Sequence, residues 1–144
     1  MVYYSKPDCF MNQPQEQKPF ILIIDDNPTN LDVLIEILQN DYRLSVAKTG
    51  KKALEFIKTN TPDLILLDVV MPEMNGFEVC QILKSRPDTR SIPIIFISSV
   101  SDAENVSKGY AIGGSDYLSK PFVPVEVRTR IKDQLELFKF RQSS

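Results

Sequence analysis

Apolar residues along this chain fall into short unbroken runs that alternate with longer stretches of helical spacing. Phe20-Ile21-Leu22-Ile23-Ile24 is apolar throughout, the pattern of a strand buried on both faces. It stops at Asp25-Asp26-Asn27-Pro28. Leu31, Leu34, Ile35 and Leu38 then follow at the i, i+3, i+4 and i+7 positions of a helix with one apolar face. Pro28 or Thr29 can open that helix, because its first residues have no intrahelical amide bond to lose. Arg43-Leu44-Ser45-Val46-Ala47 predicts a second strand. Gly50 leads into a helix carrying Ala53, Leu54 and Ile57, which Thr61-Pro62 breaks. Leu64-Ile65-Leu66-Leu67 predicts a third strand that runs straight into Asp68, with a loop through Met71-Pro72. Gly76 to Ser85 reads as a helix with Phe77, Val79, Cys80 and Leu83 facing inward. Ile94-Ile95-Phe96-Ile97 predicts the fourth strand, ending at Ser98-Ser99. A polar helix from about Asp102 to Ile112 is stopped by Gly113-Gly114. Asp116-Tyr117-Leu118-Ser119 is the fifth strand, Lys120-Pro121 follows, and a last helix runs from about Pro124 to Phe140.

Five strands alternating with five helices imply an α/β fold, with a parallel sheet covered by helices on both faces. Right-handed crossovers and the element count fit the flavodoxin-like order 2-1-3-4-5. Residues 1–18 show no apolar period and are expected to form a flexible N-terminal tail. Residues 19–140 then make one domain, and 141–144 a short C-terminal tail.

Composition narrows the chemistry. The sequence has no histidine, which removes Ser-His-Asp and Cys-His nucleophilic sites and the usual zinc sites. Carboxylates, hydroxyls, lysines or a hard metal must do whatever is done. A net charge of −2 gives no basic footprint for nucleic acid. No run approaches the roughly 20 apolar residues of a membrane span, and no signal peptide opens the chain. The cytoplasm is the expected location. Two cysteines, Cys9 and Cys80, are too few for a disulfide framework, and Cys80 reads as a small buried apolar residue.

Ligands of open α/β sheets bind at the carboxyl ends of the strands, near the reversal of strand order. The first strand ends in Asp25 and Asp26, the third in Asp68, the fourth in Ser98, and the fifth just before Lys120. The expected topology brings these ends together. Three clustered carboxylates repel one another unless a cation neutralises them. With only oxygen ligands on offer, Mg²⁺ (or Mn²⁺) is the natural ion. A carboxylate can attack phosphorus, and phosphoryl transfer asks mostly for positioning and charge neutralisation. Taken singly, each residue has a plainer role: Asp26 or Asn27 as a helix cap, Asp68 as the start of a turn, Ser98 as a loop hydroxyl, Lys120 as a solvated lysine. Their convergence on one sheet edge favours the chemical reading.

The chain resembles the receiver domains of two-component response regulators over residues 19–140. The resemblance is carried by Ile24-Asp25-Asp26, by Asp63 to Pro72 with Asn75-Gly76, by Pro93 to Ser99, and by Gly113 to Phe122 ending in Lys120-Pro121-Phe122. It implies that Asp68 accepts a phosphoryl group from a histidine kinase or histidine phosphotransfer protein. Asp26 and Asp68 would hold the metal directly, Asp25 through water, with the backbone carbonyl of Val70 as a further ligand. Ser98 would bond the phosphoryl group, Lys120 would pair with it, and Tyr117 would be the aromatic switch. The Lys120-Pro121 bond is expected to be cis.

Val70 and Val100, each two residues beyond Asp68 and Ser98, are apolar and cannot orient an attacking water, so slow dephosphorylation is expected. A haloacid-dehalogenase phosphatase would need a second Asp where Val70 stands. A flavodoxin would need a loop rich in Gly, Ser and Thr after the first strand. A degenerate receiver would lack the acceptor residues. In the last helix Val127, Ile131, Leu135 and Phe138 form an apolar stripe, part of which is expected to pack on the sheet. The apolar bulk of its far end, Leu135 to Phe140, suggests a linker to an output domain or a homodimer contact.

Overall fold

The computed structural model describes residues 2–4, 18–98 and 103–143 of the chain. Its strands are β1 (Val2–Tyr4), β2 (Phe20–Ile24), β3 (Arg43–Ala47), β4 (Leu64–Asp68), β5 (Ile94–Ser98) and β6 (Asp116–Ser119). Its helices are α1 (Pro28–Leu38), α2 (Gly50–Ile57), α3 (Gly76–Lys84), α4 (Ala103–Ala111) and α5 (Pro124–Ser143).

Strands β2 to β6 are parallel and lie in the order β3-β2-β4-β5-β6. Counted from Phe20, this is the 2-1-3-4-5 order that the alternation predicts. All of β2, β4 and β5 is buried, and side-chain alternation divides the core between the two faces. Ile21, Ile23, Leu64, Leu66, Ile95 and Ile97 meet α1 and α5 through Leu31, Leu34, Leu38, Val127 and Ile131. Leu22, Ile24, Ile65, Leu67, Ile94 and Phe96 meet α2 and α3 through Ala53, Ile57, Phe77, Val79, Cys80 and Leu83. Truncating a fully buried leucine such as Leu34 to alanine costs about 2–5 kcal/mol in a core of this kind.

The helices begin where their caps dictate. Asn27 caps α1, its side chain accepting from the amides of Thr29 and Asn30, with Pro28 in the first turn. The cap is therefore Asn27 and not Asp26. Asn75 opens α3 with a reciprocal capping box to Glu78. Between β4 and α3 the backbone makes a tight turn at Glu73 (φ 68), with the Met74 N–H donating to the Pro72 carbonyl at 2.7 Å. A three-residue turn with positive φ is rare and strained for a side chain such as glutamate.

Two expectations need correction. The tail expected over 1–18 is a strand at its start: Val2 pairs with Val46, Tyr3 with Ser45 and Tyr4 with Leu44, antiparallel on the outer edge of β3. The exposed edge of β3 offers unpaired backbone groups to such a strand, and Val-Tyr-Tyr suits it. Three residues are too few for a period to show. At the end of the tail Lys18 is buried, its Nζ donating to the Asn40 carbonyl at 3.1 Å. Residues 5–17, with Cys9 and Phe10, lie outside the described residues. At the other end α5 continues through Ser143, so the short tail expected from 141 is helical to that point.

Candidate functional site

The strand register sets the site. Ile24 pairs with Leu67, Asp68 with Ile97, and Ser98 with Ser119, so the residues that end or follow four strands share one edge. Backbone bonds tie these ends together beyond the strands. The Asp25 N–H donates to the Ala47 carbonyl at 3.1 Å, the Val69 N–H to Ile97 at 3.1 Å, and the Lys120 N–H to Ser98 at 3.0 Å. Gly76 closes the loop beneath: its N–H donates to the Val69 carbonyl at 2.9 Å. A Cβ there would stand 2.2 Å from the Asp68 carbonyl oxygen, so only glycine lets α3 start this close to the strand end.

Asp25, Asp26 and Asp68 each bring a carboxylate oxygen within 4.8 Å of the others. Asp25 and Asp68 are buried, at 0% and 3% exposure, while Asp26 is exposed. Lys120 Nζ lies 3.6 Å from Asp68 Oδ1, the same oxygen that accepts the Val70 N–H at 3.3 Å. Asp25 is held from the other side. Its Oδ1 accepts the Asn27 N–H at 2.9 Å and its Oδ2 accepts the Asn30 side-chain amide at 3.2 Å.

Burial and the neighbouring Asp25 push the Asp68 carboxyl up to about 7 from 3.8, against the opposing pull of Lys120 and the Val70 amide. One lysine therefore does not offset burial and the neighbouring carboxylate together. The donor set is three clustered carboxylates with oxygen ligands alone, which fits a hard divalent cation.

Ser98 is buried at the end of β5. Tyr117 sits on the sheet face below α4, its ring 5.3 Å from that of Phe96 and 5.7 Å from that of Tyr110. A Cβ on Gly109 would meet the Tyr117 hydroxyl at 2.3 Å, so α4 rests directly on this ring. The Lys120-Pro121 peptide is cis. Val70 is 74% exposed; Val100 lies outside the described residues. The structure thus gathers Asp25, Asp26, Asp68 and Lys120 around one point, with Ser98 on the adjoining strand end and the Tyr117 ring packed beneath α4.

Some features escape a reading of the sequence. Asn30 looks like one more polar helix residue, and only the fold shows its amide turned back on Asp25. Asp116 Oδ1 accepts from Arg130 Nη1 at 2.6 Å and from the Tyr117 N–H at 2.8 Å, and Arg130 Nε donates to Glu126 at 3.2 Å. The Arg130–Glu126 spacing of i, i+4 is the one sequence signal for that network. Among the described residues no helix is long and apolar enough to cross a membrane.

Known proteins share both pattern and fold. The response regulator receiver domain family matches residues 21–132. Response regulator PleD of Caulobacter vibrioides is 37% identical over 131 residues, which are 86% of this chain and 29% of that protein. The chain spans 26%, 9% and 18% of the first curated relatives it matches. The receiver domain of a signal transduction histidine kinase from Syntrophus aciditrophicus is 36% identical, with a TM-score of 0.75 over 82% of this chain and 90% of that one. The receiver domain of a sensor histidine kinase of Pseudomonas aeruginosa is 25% identical, with a TM-score of 0.76 over 83% and 98%. That structure has a magnesium ion coordinated in its active-site cleft. With its strand order, its acidic strand ends and its match over residues 21–132, this chain belongs to the family of response regulator receiver domains.

Proposed function

We propose that the chain works as a phosphorylation switch in which Asp68 takes a phosphoryl group from a histidine kinase or histidine phosphotransfer protein. One observation carries this reading: Asp68 ends a buried strand with Lys120 Nζ at 3.6 Å and two further carboxylates within 4.8 Å. An Asp68 oxygen attacks phosphorus and its bond to the donor breaks, so the chain gains an acyl phosphate and the donor leaves with its electron pair. Lys120, already beside that carboxylate, supplies positive charge to the incoming oxygens.

Asp26 and Asp68 would hold Mg²⁺ or Mn²⁺ directly, with the Val70 carbonyl, and Asp25 would contribute through water. The relative with a magnesium ion in its active-site cleft supports a divalent cation at this place. When bound, the cation neutralises the carboxylates and the phosphoryl oxygens. Ser98 gives its hydroxyl to a phosphoryl oxygen, and Tyr117 follows the shift of Ser98 and alters the packing of α4. That is a local charge change read out by a two-state element. The chain therefore acts by conformation, on a partner or an output domain, and the cytoplasm is where such a donor would meet it. Leu137, 49% exposed on α5, is where the last helices of two copies would meet. Sedimentation of Leu137→Glu beside wild type tests that contact.

The central experiment is intact mass after incubation with a small phosphoryl donor and Mg²⁺. One phosphoryl adduct is expected on wild type and none on Asp68→Asn. Continuous phosphate release would point to a phosphatase instead, and absence of any adduct to a receiver used for contact alone.

A further inference from the structure

Asp25 is fully buried among like charges, and such a carboxylate would relieve repulsion by turning away from its neighbours. Two donors from the start of α1 resist that rotation. One is the Asn27 N–H on Oδ1 at 2.9 Å, and the other is the Asn30 amide on Oδ2 at 3.2 Å. The Asn30 main chain is anchored to the same helix cap, its backbone N–H donating to the Asn27 side chain at 3.2 Å. Facing a carboxylate, the Asn30 amide must present its NH₂ group, so its orientation follows from its partner.

We propose that Asn30 is a positioning residue for the metal site: by holding Asp25 Oδ2 it fixes the direction from which the Asp25 charge reaches the cation. The inference rests on the metal-dependent reading above. A neutral amide suits this task better than a cationic side chain. Its hydrogen bond to an ionised group is strong and directional, yet it leaves the carboxylate its full charge. A lysine or arginine at the same place would neutralise Asp25 and compete with the metal. The backbone donor from Asn27 fixes only one oxygen, and a carboxylate held at one oxygen still pivots about that bond. Asn30 removes the pivot. Groups that orient metal ligands from outside commonly set affinity by about 10–100-fold.

The test is a calorimetric Mg²⁺ titration of wild type, Asn30→Ala, Asp25→Asn and the double variant, with unfolding midpoints measured in chelator. Asn30→Ala is expected to bind Mg²⁺ about tenfold more weakly than wild type. In the Asp25→Asn background the same substitution should cause no further loss, since the charge it positions is gone. Equal affinity in Asn30→Ala and wild type overturns the proposal. So does a tenfold loss that persists in the Asp25→Asn background, which would place the action of Asn30 elsewhere. If wild type itself fails to bind Mg²⁺, the metal-dependent reading falls and takes this one with it. Should the alanine variant be unfolded in chelator, Asn30→Ser is titrated in its place under the same criteria.

Discussion

Asp68, the proposed phosphoacceptor, carries a cost in stability. Its carboxyl is raised to about 7, while an unfolded chain would titrate it near 3.8. Between those values the folded state holds a proton that the unfolded state has lost. The stability tied to that proton is full below the unfolded pKa and disappears as pH rises through the folded one. In chelator, Asp68→Asn should therefore unfold at a higher temperature than wild type, with the gap widening from pH 4 to pH 8 towards about 2–4 kcal/mol. Thermal melts across that range check it, and a gap that narrows with rising pH would contradict the assignment. Mg²⁺ should shrink the difference by stabilising wild type alone. Val70 is expected to bear on a later event, the loss of the phosphoryl group. Its side chain is largely exposed beside the acceptor and has no group to orient water. Polar residues at positions 70 and 100 together should shorten the life of the phosphoryl group, followed by loss of the mass adduct with time. A longer life than wild type would exclude this role for the valines.

Among the elements, the loop from β4 into α3 is the most tightly specified. Gly76 has no room for a side chain, with the Asp68 carbonyl oxygen 2.2 Å from a Cβ and Val69 Cα at 3.0 Å. Both obstacles are backbone, so neither can swing aside. Gly76→Ala should cost about 2–3 kcal/mol or more, seen as a lower denaturant midpoint, and should weaken Mg²⁺ binding by displacing Asp68. An unchanged midpoint would mean that the loop yields more easily than its contacts indicate. The elements themselves were legible because their apolar runs end abruptly at charged or cyclic residues. Ile24 gives way to Asp25 and Leu67 to Asp68, and Pro28, Pro62 and Pro93 mark boundaries. The site was legible for the same reason, since strand ends in this topology converge. What stayed hidden depends on distance through space. The Asn30 amide, the ring of Tyr117 under Gly109 and the turn at Glu73 leave no periodic trace in the sequence.

At the scale of the whole molecule, β1 lies outside the family match, which begins at residue 21. It adds three paired residues to an edge that is otherwise complete. Net gains from a few such bonds are largely offset by the entropy of ordering the segment. A chain lacking residues 1–17 should therefore stay folded, within about 2 kcal/mol of the full chain. Its Mg²⁺ affinity should be unchanged. Its bared β3 edge should make it self-associate more readily at high concentration. Melting, calorimetry and light scattering on the two chains decide the matter. Collapse of the shortened chain would show that the edge strand belongs to the core.

The position of β1 also bears on the order in which the sheet can be completed. Val2 is synthesised about forty residues before Val46, its partner in the sheet. Until β3 has emerged and settled beside β2, Val2–Tyr4 has no template on which to lie. The strand that leads the sheet in sequence has to wait for the third to be made before it can be seated.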